Sequence, residues 1–190
     1  MKLVILDYGV GNIKSIQFAF DRLGVTAVLS SDAEEIKAAD KIIFPGVGEA
    51  SSAMKKLREA GLEDVITKLN QPVLGICLGM QLMCRKLEEG NTNGLGIFDG
   101  AVKRFSTSVK VPQMGWNTIA NLKSKLFEDI SDKEYMYLVH SYYVEENENT
   151  IAKTDYELPY TSAIQNIIFM AFSFTQKKVE NWEKKSYKTF

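Results

Sequence analysis

The sequence is poor in the residues that carry most enzyme chemistry. Among 190 residues there is one histidine, His140, and there are two cysteines, Cys77 and Cys84. Any mechanism that needs two histidines is excluded, and so are a disulfide framework and a cysteine-built zinc centre. No metal site is expected. No apolar run approaches the roughly 20 residues that a membrane span requires. The segment Lys2-Leu-Val-Ile-Leu-Asp7 begins without a signal-peptide layout. A formal net charge of -1 supplies no field to attract nucleic acid or an anionic membrane. These absences lead to the expectation of a cytoplasmic protein with neither nucleic acid nor membrane as partner.

What remains is an ordinary globular composition, 45% hydrophobic and 25% charged, of a length that suits one domain over 1–190. Apolar runs at 3–6, 27–29, 41–44 and 72–76 have strand length and alternate with amphipathic stretches. Helices are expected near 13–23, 32–39, 49–60, 62–69 and 80–87. This order predicts an α/β fold of three layers, a mostly parallel sheet covered by helices on both faces. The stretches 94–105, 109–118, 135–144, 151–154 and 162–164 are strand-rich and predict a smaller antiparallel part. Gly9-Val-Gly11 resembles the start of a dinucleotide fingerprint, but Lys14 occupies the third glycine position, so no cofactor is expected. The run Glu88-Glu-Gly-Asn-Thr-Asn93 reads as a solvated loop.

Gly75-Ile-Cys77-Leu-Gly79 carries the most chemistry. A strand that turns abruptly into a helix strains its corner residue, and glycines two places either side relieve the crowding. The corner side chain then projects from the carboxyl end of the sheet, where open α/β folds bind ligands. A thiol there meets a helix N-terminus, which favours thiolate. Cys84, seven residues later, reads as core.

Gly75-Ile-Cys-Leu-Gly-Met-Gln-Leu82 resembles the nucleophile motif of class I (triad) glutamine amidotransferases. Asp7-Tyr-Gly-Val-Gly-Asn12, Pro45-Gly-Val-Gly48, Pro112-Gln-Met-Gly-Trp-Asn117 and Val139-His-Ser-Tyr-Tyr143 extend the likeness over 1–165. They narrow it to the subunit that feeds ammonia to the barrel of imidazole glycerol phosphate synthase. The resemblance implies that Cys77 attacks the side-chain amide of L-glutamine, giving a glutamyl thioester and ammonia. The Leu78 N–H would hold the oxyanion, and Gly46, Val47 and Gly48 lie in a loop that supplies another donor after a conformational change. Gly48, Gln81, His140, Ser141 and Tyr142 match positions that bind glutamine. Asn12 and Trp116 match positions facing the barrel partner, the cyclase (HisF-type) subunit of a heterodimer. Trp116 also admits a plain core reading. Gln113 stands where many members of the family carry histidine, so an essential role is not expected there.

The resemblance breaks off after residue 165. The family ends in a segment like F-Y-G-V-Q-F-H-P-E, whose histidine takes the thiol proton and whose glutamate orients it. Here residues 166–190 contain neither His nor Pro, and their five lysines and two glutamates give a net +3 against -4 for 1–165. Joining the third base of each tail codon to the first two of the next permits N-F-Y-G-V-Q-F-H-P-E-K-S-G-K-L-G. Met170-Ala171 and Trp182-Glu183 force the first and last glycines of that reading, and Asn181-Trp182 forces its leucine. A single-base gain or loss near codon 165 accounts for the tail. The apolar residues Ile167–Met170, Phe172 and Phe174 still permit a strand, but with poor alternation and some exposed apolar surface. His140 remains as a stand-in base, although its matching family position serves substrate binding. Other readings are a paralogous amidotransferase serving a sugar-amidating synthase, a catalytically silent binding subunit, and a flavodoxin-like carrier. The last is weakened by the elbow and the missing phosphate loop.

Overall fold

The computed structural model describes residues 1–173 and Phe190. The apolar runs of the first half become β1 (Leu3–Leu6), β2 (Ala27–Ser30), β3 (Lys41–Phe44) and β4 (Val73–Ile76). Between them run α1 (Ile13–Asp21), α2 (Ala33–Lys37), α3 (Ala50–Glu59) and α4 (Glu63–Thr67). The strands pair in parallel in the order β2-β1-β3-β4. Alternation sorts their side chains into two layers. Val4, Leu6, Ile42 and Phe44 pack with Met54 and Leu57 of α3 on one face. Leu3, Ile5 and Ile43 pack with Ile16 and Phe20 of α1 on the other. Burial on both faces is why β1, β3 and β4 are continuously apolar, whereas β2, at the sheet edge, exposes Val28 and Leu29. Two helix starts are fixed by carboxylates: Asp32 accepts from the Glu35 N–H at 2.7 Å, and Glu49 from Ser51 and Ser52 at 3.0 and 2.8 Å.

The expected helix over 80–87 is shorter than its apolar spacing suggests. After the elbow, α5 (Leu78–Met83) ends and β5 (Cys84–Leu87) begins. Cys84 is extended, with ψ 164°, and Lys86 and Leu87 pair with β6 (Thr92–Asn93) and β7 (Phe98–Arg104). Tertiary pairing overrides helical propensity here. Cys84 is core, as expected, its thiol 3.6 Å from the Met80 carbonyl.

The strand-rich half supplies β8 (Gln113–Ile119), β9 (Glu134–His140), β10 (Tyr142–Val144), β11 (Thr150–Asp155) and β12 (Pro159–Gln165). β8 and β9 form a separate antiparallel ribbon. β7, β10 and β12 extend the main sheet, with β11 antiparallel to β12.

The tail fills the centre of that sheet. β13 (Phe169–Phe172) pairs parallel with β4 and antiparallel with β12. Phe169, Ala171 and Phe172 are buried, so poor alternation marks a strand covered on both faces rather than exposed apolar surface. Ile167, 97% exposed in the turn before it, is the apolar residue left to solvent. The expectation for Phe174 falls outside the described residues.

Candidate active site

The elbow has the strained geometry its glycines suggest. Cys77 has φ 55° and ψ -115°, a left-handed φ that a residue with a Cβ rarely adopts. Its N–H donates to the Phe172 carbonyl at 2.8 Å, and its own carbonyl accepts from Met80 at 3.0 Å. The corner is thus pinned to β13 on one side and to α5 on the other. Close approach explains two glycines. A Cβ on Gly79 would stand 2.2 Å from the Phe44 carbonyl oxygen, and one on Gly46 would stand 2.4 Å from the Gly79 nitrogen. The Pro45–Gly48 loop therefore lies directly against the elbow, held by the buried Tyr8 hydroxyl, which donates to the Pro45 carbonyl at 2.6 Å.

A cleft of about 670 Å³ opens here. It brings together Cys77, Leu78, Gln81, Gly46, Val47 and Gly48 from the elbow side with His140, Ser141 and Tyr142 from the β9–β10 corner. Asn12 reaches its rim from the start of α1. Trp116 does not line it. At 49% exposed and edge-on to Tyr137 at 5.6 Å, Trp116 stands on the open face of the β8–β9 ribbon, which rules out the core reading.

Sequence reasoning missed Glu89. The 88–93 stretch is not wholly a solvated loop, because Glu89 lines the cleft. Its carboxylate accepts from the Ala50 N–H at 2.8 Å. Burial raises its pKa above the ordinary carboxylate value, against the lowering effect of that hydrogen bond. Among the described lining residues it alone carries a full charge. No local signal marks it, because Glu88-Glu89 stands among polar residues and its approach to α3 is a tertiary contact.

Electrostatics at the nucleophile favour the thiol. Burial pushes the Cys77 pKa up, and the Leu78 N–H offsets this in part. The helix start alone does not deliver a thiolate. Alkylation of Cys77 by iodoacetamide should therefore be slow at pH 7 and still rising past pH 9.0, the ordinary thiol value. A rate that levels off near neutrality would contradict this.

His140 has no free ring nitrogen. Its Nδ1 lies 2.7 Å from the Tyr142 carbonyl oxygen and its Nε2 3.2 Å from the Tyr160 hydroxyl, so both nitrogens are engaged. Burial pushes its pKa down to about 4, against the raising effect of the carbonyl. No other histidine exists in the chain. Parallel register sets Phe172 beside Ile76, so the chain leaves β13 level with Cys77 at the carboxyl edge of the sheet.

A strained cysteine elbow on a three-layer α/β sheet, roofed by a glycine loop, defines the class I glutamine amidotransferases, and the chain belongs to that family. The family's sequence profile, glutamine amidotransferase class-I, matches residues 4–179. Within it the chain falls among the amidotransferase subunits of imidazole glycerol phosphate synthase. It is 54% identical to "Imidazole glycerol phosphate synthase subunit HisH" of Bacteroides fragilis, over 94% of this chain and 92% of that protein. Against the subunit of the same name in Haemophilus influenzae it is 43% identical, over 92% and 88%. Solved structures share the fold. A glutamine amidotransferase crystal structure superposes with TM-score 0.75 at 19% identity, over 97% of this chain and 95% of that one. PurLQS from Thermotoga maritima gives 0.68 at 13%, over 99% and 96%.

Proposed function

We propose that the cleft binds L-glutamine for attack by Cys77 and that the ammonia passes to a cyclase-type barrel partner making imidazole glycerol phosphate. The observation that carries this reading is the strained Cys77 corner opening into a cleft with a single carboxylate. Gln81 Nε2 donates to the Tyr142 carbonyl at 3.2 Å, which leaves its Oε1 as the acceptor it offers a ligand. Glu89 and that oxygen suit the α-ammonium group of glutamine, while the Leu78 N–H and the Pro45–Gly48 loop suit the oxyanion.

The subunit contact is supported by position. Tyr137 and Val139 line the cleft from β9, and beside them Met114, Trp116 and Tyr135 expose large apolar side chains on the same ribbon. An apolar strip at the mouth of a cleft that must keep ammonia from bulk water fits a covering protein. A second reading concerns this chain as written. With His140 engaged and no other histidine, it holds glutamine without turning it over at a useful rate, a binding subunit in effect. Rescue of a histidine auxotroph by the version with the alternative-frame tail, co-expressed with the barrel gene, tests the pathway. Failure of that version to rescue, with glutamine hydrolysis stimulated by a sugar-amidating synthase instead, would redirect it.

The Glu89 role has its own check. In the version carrying the alternative-frame tail, Glu89→Gln should raise KM for glutamine roughly tenfold or more, the worth of a charge-assisted hydrogen bond, with little change in kcat. Because burial raises the Glu89 pKa, affinity should hold at pH 7 and fall as pH drops through a value above 4.5. An unchanged KM would remove Glu89 from the site.

A further inference from the structure

His140 sits at the end of a buried polar chain that the mechanism above does not use. Tyr160, fully buried on β12, places its hydroxyl 3.2 Å from His140 Nε2 and 2.8 Å from the Oε1 position of Gln113, itself buried on β8. Aromatic rings close this pocket. Phe105, Tyr143 and Tyr160 form a separate apolar cluster, and Phe105 lies 5.4 Å from both His140 and Tyr160.

Counting protons fixes the direction of the chain. The Tyr142 carbonyl only accepts, so the 2.7 Å contact places a proton on His140 Nδ1. A neutral imidazole then has a bare Nε2, which needs a donor, and Tyr160 has one proton to give. If that proton goes to Nε2, the phenol oxygen must itself accept. A half-turn of the Gln113 carboxamide, which exchanges Oε1 and Nε2, supplies the donor. Nε2 and the phenol oxygen are then both satisfied, whereas the opposite direction leaves Nε2 without a partner.

We propose that Tyr160 is a positioning residue: oriented by the Gln113 amide, it donates to His140 Nε2 and locks the Nδ1–H tautomer that holds the Tyr142 carbonyl. That carbonyl also accepts from Gln81. One phenol proton therefore sets both sides of the glutamine cleft, the His140–Tyr142 corner and the Gln81 side chain. The claim that this bears on glutamine rests on the proposed function. The tautomer lock itself does not.

The lone histidine makes the test direct. In a long-range proton–nitrogen spectrum of the full chain at pH 7, the single imidazole should show a protonated Nδ1 and a bare, hydrogen-bonded Nε2. Tyr160→Phe should move the Nε2 resonance downfield, and Gln113→Glu, which turns the donor into an acceptor, should do the same. Tyr160→Phe should also weaken glutamine binding, read by titration calorimetry, roughly three- to tenfold. A proton on Nε2 in the unaltered chain overturns the proposal, and that reading requires no variant to fold. An Nε2 resonance indifferent to both substitutions, or an unchanged affinity, does so as well. A chain with the expected tautomer that binds no glutamine would instead overturn the glutaminase reading and leave the lock standing.

Discussion

The chain as written should hydrolyse glutamine about 10⁴- to 10⁶-fold more slowly than a version whose residues after Gln165 follow the alternative frame. The substitution would restore a histidine and a glutamate together. Three observations set the size of the effect. The Cys77 thiol is held above its ordinary pKa by burial, so almost none of it is ionised at neutral pH. His140 has both ring nitrogens engaged and cannot take the proton. The chain emerges from β13 abreast of the nucleophile, where a base would have to stand. Glutamate release should be measured with the barrel partner and its nucleotide ligand present, with Cys77→Ala in the restored chain as the blank. Equal rates for the two tails would end the idea that the frame matters. Sequencing codons 160 to 190 in an independent isolate would test its genetic origin.

Gly79→Ala should be the most damaging single substitution near the elbow. The new methyl would need the space of the Phe44 carbonyl oxygen, 2.2 Å away, and that oxygen belongs to a central strand that cannot yield. Overpacking of this kind costs about 3 kcal/mol or more, which lowers Tm by about 6–12 °C in a domain of this size. Gly24→Ala is the control. Its φ of +74° strains a side chain, but nothing lies within 4 Å, so the loss should stay near 1–2 kcal/mol. If the two variants melt together, packing against Phe44 is not what Gly79 provides.

Local signals explain how much of the molecule was legible in its sequence. The first four strands are short apolar runs and glycines flank the elbow cysteine, so their type and order could be read directly. β5 could not, because Cys84 and Leu87 extend the helical spacing of Met80 and Met83, and only pairing with β7 makes them a strand. Glu89 was missed for a similar reason. Its polar neighbours suggest solvent, and nothing local announces that the turn folds back to the Ala50 N–H. The Gln113–Tyr160–His140 chain joins three strands whose members are 20 and 47 residues apart. No periodicity encodes such a meeting. β13 was legible as apolar but not as central, since its place depends on what covers both faces.

The position of β13 also governs the order in which the molecule can be assembled. It is inserted between β4 and β12, yet it leaves the ribosome almost a hundred residues after its parallel neighbour. Until it arrives, two half-sheets each present a bare edge of unpaired amides. Such edges invite pairing with another nascent chain. Closure of the sheet is thus a late, long-range event, and it should be slow.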